Sequence, residues 1–193
     1  MRLWTIQPAH IYEALKGGYV YRCDPEKAQL LTESSFGPAY DWLSEQMRLR
    51  IGAPPDGVKY PVWAWHTLEW KHKRLDLRRV EFCTYRAQQV CMEIEIPDTQ
   101  VLLSNEDMWH IVLNNGFYGD CCTEQEWEAE EKWFEKLSSG QQIQYKRKSW
   151  EKIFDVSPAR ETAWDAHGKY VQATFWELKP EHVCSVRHFG RGA

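Results

Sequence analysis

From Val90 to Ile96 apolar and polar residues alternate, with Val90, Met92, Ile94 and Ile96 on one side and Cys91, Glu93 and Glu95 on the other. A period of two predicts a strand with one buried face. Pro97-Asp98 ends it. Val101-Leu102-Leu103 then reads as a short, fully buried strand. Ser104, with Asp107 three residues on, is an N-cap signature for a helix carrying Met108, Trp109, Ile111, Val112 and Leu113. Asn114-Asn115-Gly116 stops that helix, so a half-buried strand, a buried strand and a helix follow one another directly. A sheet with a helix against it is the natural arrangement.

The same patterning runs outward in both directions. Leu3 to Ile6 reads as a strand, and Gln7-Pro8 opens a helix, with Ile11, Leu15 and Tyr12 facing the core, that Gly17-Gly18 closes. Tyr19-Val20-Tyr21 returns as a strand, Asp24-Pro25 opens a helical turn through Leu31, and Ser34 to Pro38 is a loop. Tyr40, Leu43, Met47 and Ile51 recur at helical spacing over 39–51. Tyr60 to Thr67 suits an edge or partly covered strand, because Pro61 has no N–H to give a ladder. The charged run from Glu69 to Arg79 is expected at the surface and Val80 to Tyr85 in another strand. Thr123 and Glu126 form a capping box, and with a helix over about 142–155 they predict a helical hairpin at about 123–156 laid against the sheet. Lys169 to Leu178 and Val183 to Phe189 read as strands around a Pro180-Glu181 turn.

The expected fold is therefore α+β: a single domain over 1–193 with a mixed, mostly antiparallel sheet and flanking helices. Composition adds one unusual feature, 11 Trp among 193 residues. Indoles are stable only when buried or stacked with the N–H partnered, so they line either a core or a groove. A net charge of -4 gives no global field for nucleic acid, leaving Lys71 to Arg79 and Lys146 to Lys148 as the local basic runs. Six cysteines with no C-x-x-C spacing and no ligand spacing to the seven histidines predict reduced thiols and no metal site. No apolar run approaches the roughly 18 residues of a membrane span, so a cytoplasmic protein is expected. Cys121-Cys122 is either a reactive pair or two small packing residues.

No P-loop, G-x-G-x-x-G, H-E-x-x-H or G-x-S-x-G occurs. Whole segments carry more. L-W-T-I-Q at the start, L-L-S-x-x-x-x-W-H-x-V-L-N at Leu102 to Asn114 and V-Q-A-T-F-W-E-L at Val171 to Leu178 resemble an uncharacterised bacterial domain family of unknown function over nearly the whole chain. More remotely, the strand, helix and Gly stop from Leu3 to Tyr21, with Gln172-Ala173-Thr174-Phe175 on a penultimate strand, are similar to the ADP-ribosyltransferase-like fold, especially the bacterial toxins that modify nucleic acid. That resemblance implies NAD as ligand, in a cleft between the first strand and the 169–178 strand, and a protein or nucleic-acid target.

The family's first-strand Arg or His falls here at Thr5, with Gln7 beside it. Its glutamate falls at Thr174, and Glu177 is three residues on. Cleaving an N-glycosidic bond builds positive charge on the ribose, which a carboxylate stabilises. The resemblance thus makes Glu177 and Thr174 the catalytic candidates. His110 is an acid or base candidate, histidine being the side chain suited to that work, and its plainer role is packing. Tyr40, Trp63 and Trp65 are candidates to stack on nicotinamide or adenine, or else are core. Arg48 is a candidate phosphate donor or a surface charge at a helix end. The competing expectation is a non-enzymatic module that engages a protein or nucleic acid through a Trp-rich face, and a bacterial toxin-antitoxin or defence role is compatible with either.

Overall fold

The computed structural model describes residues 1–28, 35–83, 87–119, 121, 123–158 and 167–190. Its centre is a six-stranded sheet in the order β4-β5-β2-β1-β3-β6, built from β1 (Arg2–Pro8), β2 (Val62–Leu68), β3 (Gln89–Glu95), β4 (Leu102–Asn105), β5 (Tyr170–Phe175) and β6 (Val183–Phe189). Every pairing is antiparallel, so the expected mixed sheet resolves to a uniform one. Among the described residues the α-helices are Ala9–Lys16, Gly37–Ile51, Glu106–Leu113, Glu124–Phe134 and Ser139–Trp150, with a one-turn helix at Val80–Cys83.

The alternation in β3 does what its pattern predicts. Val90, Met92 and Ile94 are fully buried, and they join Leu3, Val62, Ala64, Ala173, Phe175 and Leu15 of the 9–16 helix in one core on one face. The opposite face carries two further clusters. Over β2, β5 and β4 the 37–51 and 106–113 helices pack Tyr40, Trp42, Leu43, Met47, Trp109 and Val112, joined by Trp150 and Ile153. Over β1 and β3 lie Leu75 and Phe82, packed on Trp4 and Cys91.

Several local expectations change in three dimensions. Val80 to Tyr85 is not a strand where it is described. One helical turn buries Phe82 and leaves Val80 exposed, which a strand at this place has no neighbour to reward, and residues 84–86 lie outside the described residues. β2 is interior, between β5 and β1, because Pro61 stands one residue before the ladder and removes nothing from it. Tyr19 to Tyr21 contributes only a bridge at Tyr21, whose N–H and C=O pair with Leu178 beyond the end of β5; Gly18 at φ 88 has already turned the chain. The Asp24 turn is formed through Ala28, whereas Leu31 and Ser34 lie outside the described residues.

The helical hairpin is present and both its helices begin with complete capping boxes, Thr123 with Glu126 and Ser138 with Gln141. Its outer helix is not laid against the sheet: no residue of 124–134 is buried, and Trp127 and Phe134 pack instead on Phe117. Only the end of the second helix and the 3-10 turn after it, through Trp150 and Ile153, reach the core. Among the described residues no helix is long and apolar enough to cross a membrane.

Candidate functional site

β1 and β3 pair continuously from Arg2 to Pro8, and β2 and β5 pair along nearly their whole length. Between those two blocks, β1 meets β2 at a single register position, Trp4 with Trp65. The sheet is thus two three-stranded halves joined along a thin line. Directly paired residues share a face, so the register gives one row across the full width: Ser104 on β4, Gln172 on β5, Trp65 on β2, Trp4 on β1, Glu93 on β3 and Ser185 on β6. Trp63, Thr174 and Leu102 form the next row on the same face.

This face holds buried polar atoms that the described residues do not satisfy. Trp4 Nε1, Trp63 Nε1, Ser104 Oγ and Gln172 Oε1 are all buried without a hydrogen-bond partner among the described residues. Leaving such a group unpaired costs about 1–3 kcal/mol, and these four, from four strands, gather on one face, so each calls for a partner. Trp63 Nε1 does sit near the Tyr40 hydroxyl. Burial first, and the neighbouring Cys23 next, push that hydroxyl up to about 12, while the Trp63 N–H opposes them without closing a bond.

Aromatic walls flank the row. On one side Tyr40 meets Trp63 edge-on at 6.2 Å and Trp109 at 5.4 Å. On the other, His72 meets the Trp4 ring edge-on at 5.3 Å and its imidazole lies 4.0 Å from that of His66. Burial, then the charge of His72, then the N-terminal ammonium, drive His66 down to about 4, so it is neutral near pH 7. Glu93 is the carboxylate of the row. It is 21% exposed and within 3.4 Å of Arg2.

The candidates from sequence divide by place. Tyr40, Trp63, Trp65 and Thr174 come together on this face; the Thr174 hydroxyl donates to Leu102 O at 3.2 Å. Thr5 and Gln7 alternate onto the opposite face, where the Thr5 hydroxyl donates to Trp63 O and accepts from Gln7 Nε2. Glu177 is not at the row. It follows Trp176, which packs in the Tyr40 cluster, and is held by Arg22 at 2.5 Å beside a groove of about 260 Å³ that also contains His182 and Lys179. Arg48 is exposed on its helix, and His110 is exposed and bonded to Glu106 one turn back, 2.9 Å away. The two end strands do not lie side by side either, because β2 runs between β1 and β5.

Sequence reasoning missed Trp4, Glu93, Ser104 and Gln172. Gln172 stood in the quoted Q-A-T-F segment and Ser104 had been read as a helix cap. The helix instead begins after Asn105, whose side chain is turned elsewhere. Cys121 lies apart, donating to Glu130 at 2.7 Å, and Cys122 lies outside the described residues. Among the described residues no group of three or more His, Cys, Asp or Glu side chains is arranged to hold a metal ion.

The family model for a domain of unknown function, DUF3841, matches residues 2–184. The chain belongs to that family. No curated protein and no solved structure matches it significantly.

Proposed function

Starting from that membership, we propose that the protein is an ADP-ribosyltransferase-like enzyme whose ligand, NAD, is held on the face around Trp4, Trp65 and Gln172. The observation that carries this reading is the set of buried, unpartnered polar atoms on one face at the thin line of the sheet. The residues fit the group chemically. A nicotinamide carries a primary carboxamide on a flat ring: its NH₂ needs an acceptor and its carbonyl a donor. Gln172 Oε1 is an acceptor, Trp4 Nε1 a donor and Ser104 Oγ both; all three are buried beneath the Tyr40 and Leu75 clusters, so binding requires those clusters to part. Adjacent strands are about 4.8 Å apart, so the spacing between neighbouring members of the row is on the scale of such a ring, and the indoles offer it flat surfaces.

Glu93 rather than Glu177 has the position for the charge work, because it is the cross-strand neighbour of Trp4 on this face. In the transfer, the bond between the nicotinamide nitrogen and ribose C1′ breaks, the nitrogen leaves with the electron pair, and a nucleophile of the target adds to C1′ and loses its proton. A carboxylate beside C1′ stabilises the positive charge that builds meanwhile. The test is incubation of the protein with labelled dinucleotide and separate protein and nucleic-acid pools. Label transfer that Glu93→Gln abolishes and Glu177→Gln preserves is expected. Absence of transfer to either pool, with no nicotinamide released, overturns the reading.

A second reading, a non-enzymatic module that engages a partner through a Trp-rich face, is favoured by the outer helical hairpin. Trp127, Trp133 and Ile143 are 39%, 46% and 57% exposed there.

A further inference from the structure

Beside the Trp4 end of the row the chain makes a tight turn. Leu68 and Lys71 exchange backbone hydrogen bonds at 3.1 Å across Glu69 and Trp70, both of which take positive φ, 50° and 66°. Trp70 N–H donates to Lys169 O, and Leu75, 3% exposed, anchors the following residues under the cluster with Trp4. The side chains on this fixed backbone enclose a groove of about 200 Å³. Its acids have partners: Glu69 shares Arg79 with Glu81, each at 2.8 Å, and Asp76 is held by Arg78 at 2.8 Å, which keeps the Asp76 carboxyl well below the usual carboxylate range. Lys71, Lys73 and Arg74 line the same groove with no ion pair or side-chain hydrogen bond among the described residues. Three cations within four residues therefore stand without a direct partner around one concavity, and with Arg79 shared between two carboxylates the local surplus of positive charge is two.

We infer that this groove is a diphosphate site, with Lys71, Lys73 and Arg74 as its countercharges. The volume, equal to about six or seven water molecules at roughly 30 Å³ each, admits two linked phosphate groups. The planar donors of Arg74 match phosphate oxygens in pairs, and the two ammonium groups serve as point charges. A compact dianion fits better than a long strand of nucleic acid, because the chain as a whole carries a net charge of -4 and repels a polyanion beyond the groove. His72 joins the groove to the row: it lies between Lys71 and Lys73, its ring meets Trp4, and its Nε2 is 2.9 Å from Arg2 O. The groove stands on its own charges. That its diphosphate is the one joining the halves of the dinucleotide rests on the reading given above.

Calorimetric titration with inorganic pyrophosphate at low salt isolates the groove, and the same titration with NAD tests the joint site. Saturable pyrophosphate binding is expected, weaker for inorganic phosphate, and weakened about tenfold by Lys73→Ala or Arg74→Ala, as for loss of one charge-assisted contact. Arg74→Lys restores part of it. These side chains are exposed, so the melting temperature is expected to hold. Pyrophosphate binding that depends on Arg74, without any NAD binding, keeps the groove and removes the dinucleotide reading. NAD binding untouched by both substitutions, with no pyrophosphate binding, does the reverse. A single-stranded oligonucleotide that binds through these cations and that pyrophosphate does not displace also overturns the inference.

Discussion

The Thr5 hydroxyl donates to the Trp63 carbonyl at 2.8 Å, across the line where the two halves of the sheet part. A side chain thus spans a place where backbone pairing between β1 and β2 is confined to Trp4 and Trp65. The same oxygen accepts from Gln7 Nε2 at 2.9 Å, so Thr5 is a fastening of the split and faces away from the row of open polar atoms.

Replacing Thr5 by Val keeps the shape and removes both bonds, leaving the Trp63 carbonyl and the Gln7 amide without this partner. A loss of about 1–3 kcal/mol in unfolding free energy is expected, from the cost of stranding buried polar groups. Urea denaturation measures it. An unchanged midpoint would mean that the split is held by something else.

Glu177 and Glu93 give opposite expectations. Glu177 is bound to Arg22 away from the row, so Glu177→Gln should leave dinucleotide affinity unchanged and lower stability by no more than about 1 kcal/mol, the scale of partly exposed ion pairs. Glu93→Gln should reduce transfer at least tenfold while binding persists, because the carboxylate acts on charge that develops during bond breaking. A reversed pattern in single-turnover assays would return the catalytic role to Glu177.

Patterns confined to neighbouring residues were legible in the sequence. The buried side of β3, the 37–51 helix and the Thr123 capping box follow from spacing alone, since each is decided by residues within a few positions. The row was not legible, because its members lie on six separate strands and only register brings them together. Trp4 and Gln172 look ordinary until β1, β2 and β5 are aligned. Glu177 looked promising because it was close in sequence to Thr174, yet the two lie on different sides of the strand's end. The Val80 turn was misread for a related reason: four residues with one buried ring fit strand and helix equally until a neighbour is known.

Asn105 is a structural counterpart to the open row. Its Nδ2 donates to Asp155 O at 2.6 Å and to Ile153 O at 3.3 Å, and its Oδ1 accepts from Gly168 N–H at 2.8 Å. The residue is 2% exposed and ties β4 to two distant segments. Asn105→Ala should cost about 3 kcal/mol, since buried backbone groups lose their partner together. A loss below about 1 kcal/mol in urea would show that the segment ending at Asp155 is held independently.

Stability should also fall on mild acidification. His66 stays neutral in the folded protein down to about 4, whereas the unfolded chain takes up its proton near 6.5. His182 is lowered in the same direction, chiefly by burial. Between those values the unfolded state binds more protons. The stabilisation is therefore complete above about pH 6.5 and lost progressively as pH falls toward 4. Melting temperatures from pH 7 to pH 5 should drop, and His66→Gln should flatten the slope. Identical slopes for both proteins would remove His66 from the account.

The most direct test measures affinity and stability on the same variants of the row. Ser104→Ala and Gln172→Leu each remove a buried polar atom that has no partner among the described residues. If the row exists to hold NAD, both variants should bind it at least tenfold more weakly in a Trp-fluorescence titration, while unfolding at equal or higher urea concentration than the parent. Variants that unfold earlier and bind as well as the parent would contradict the assignment.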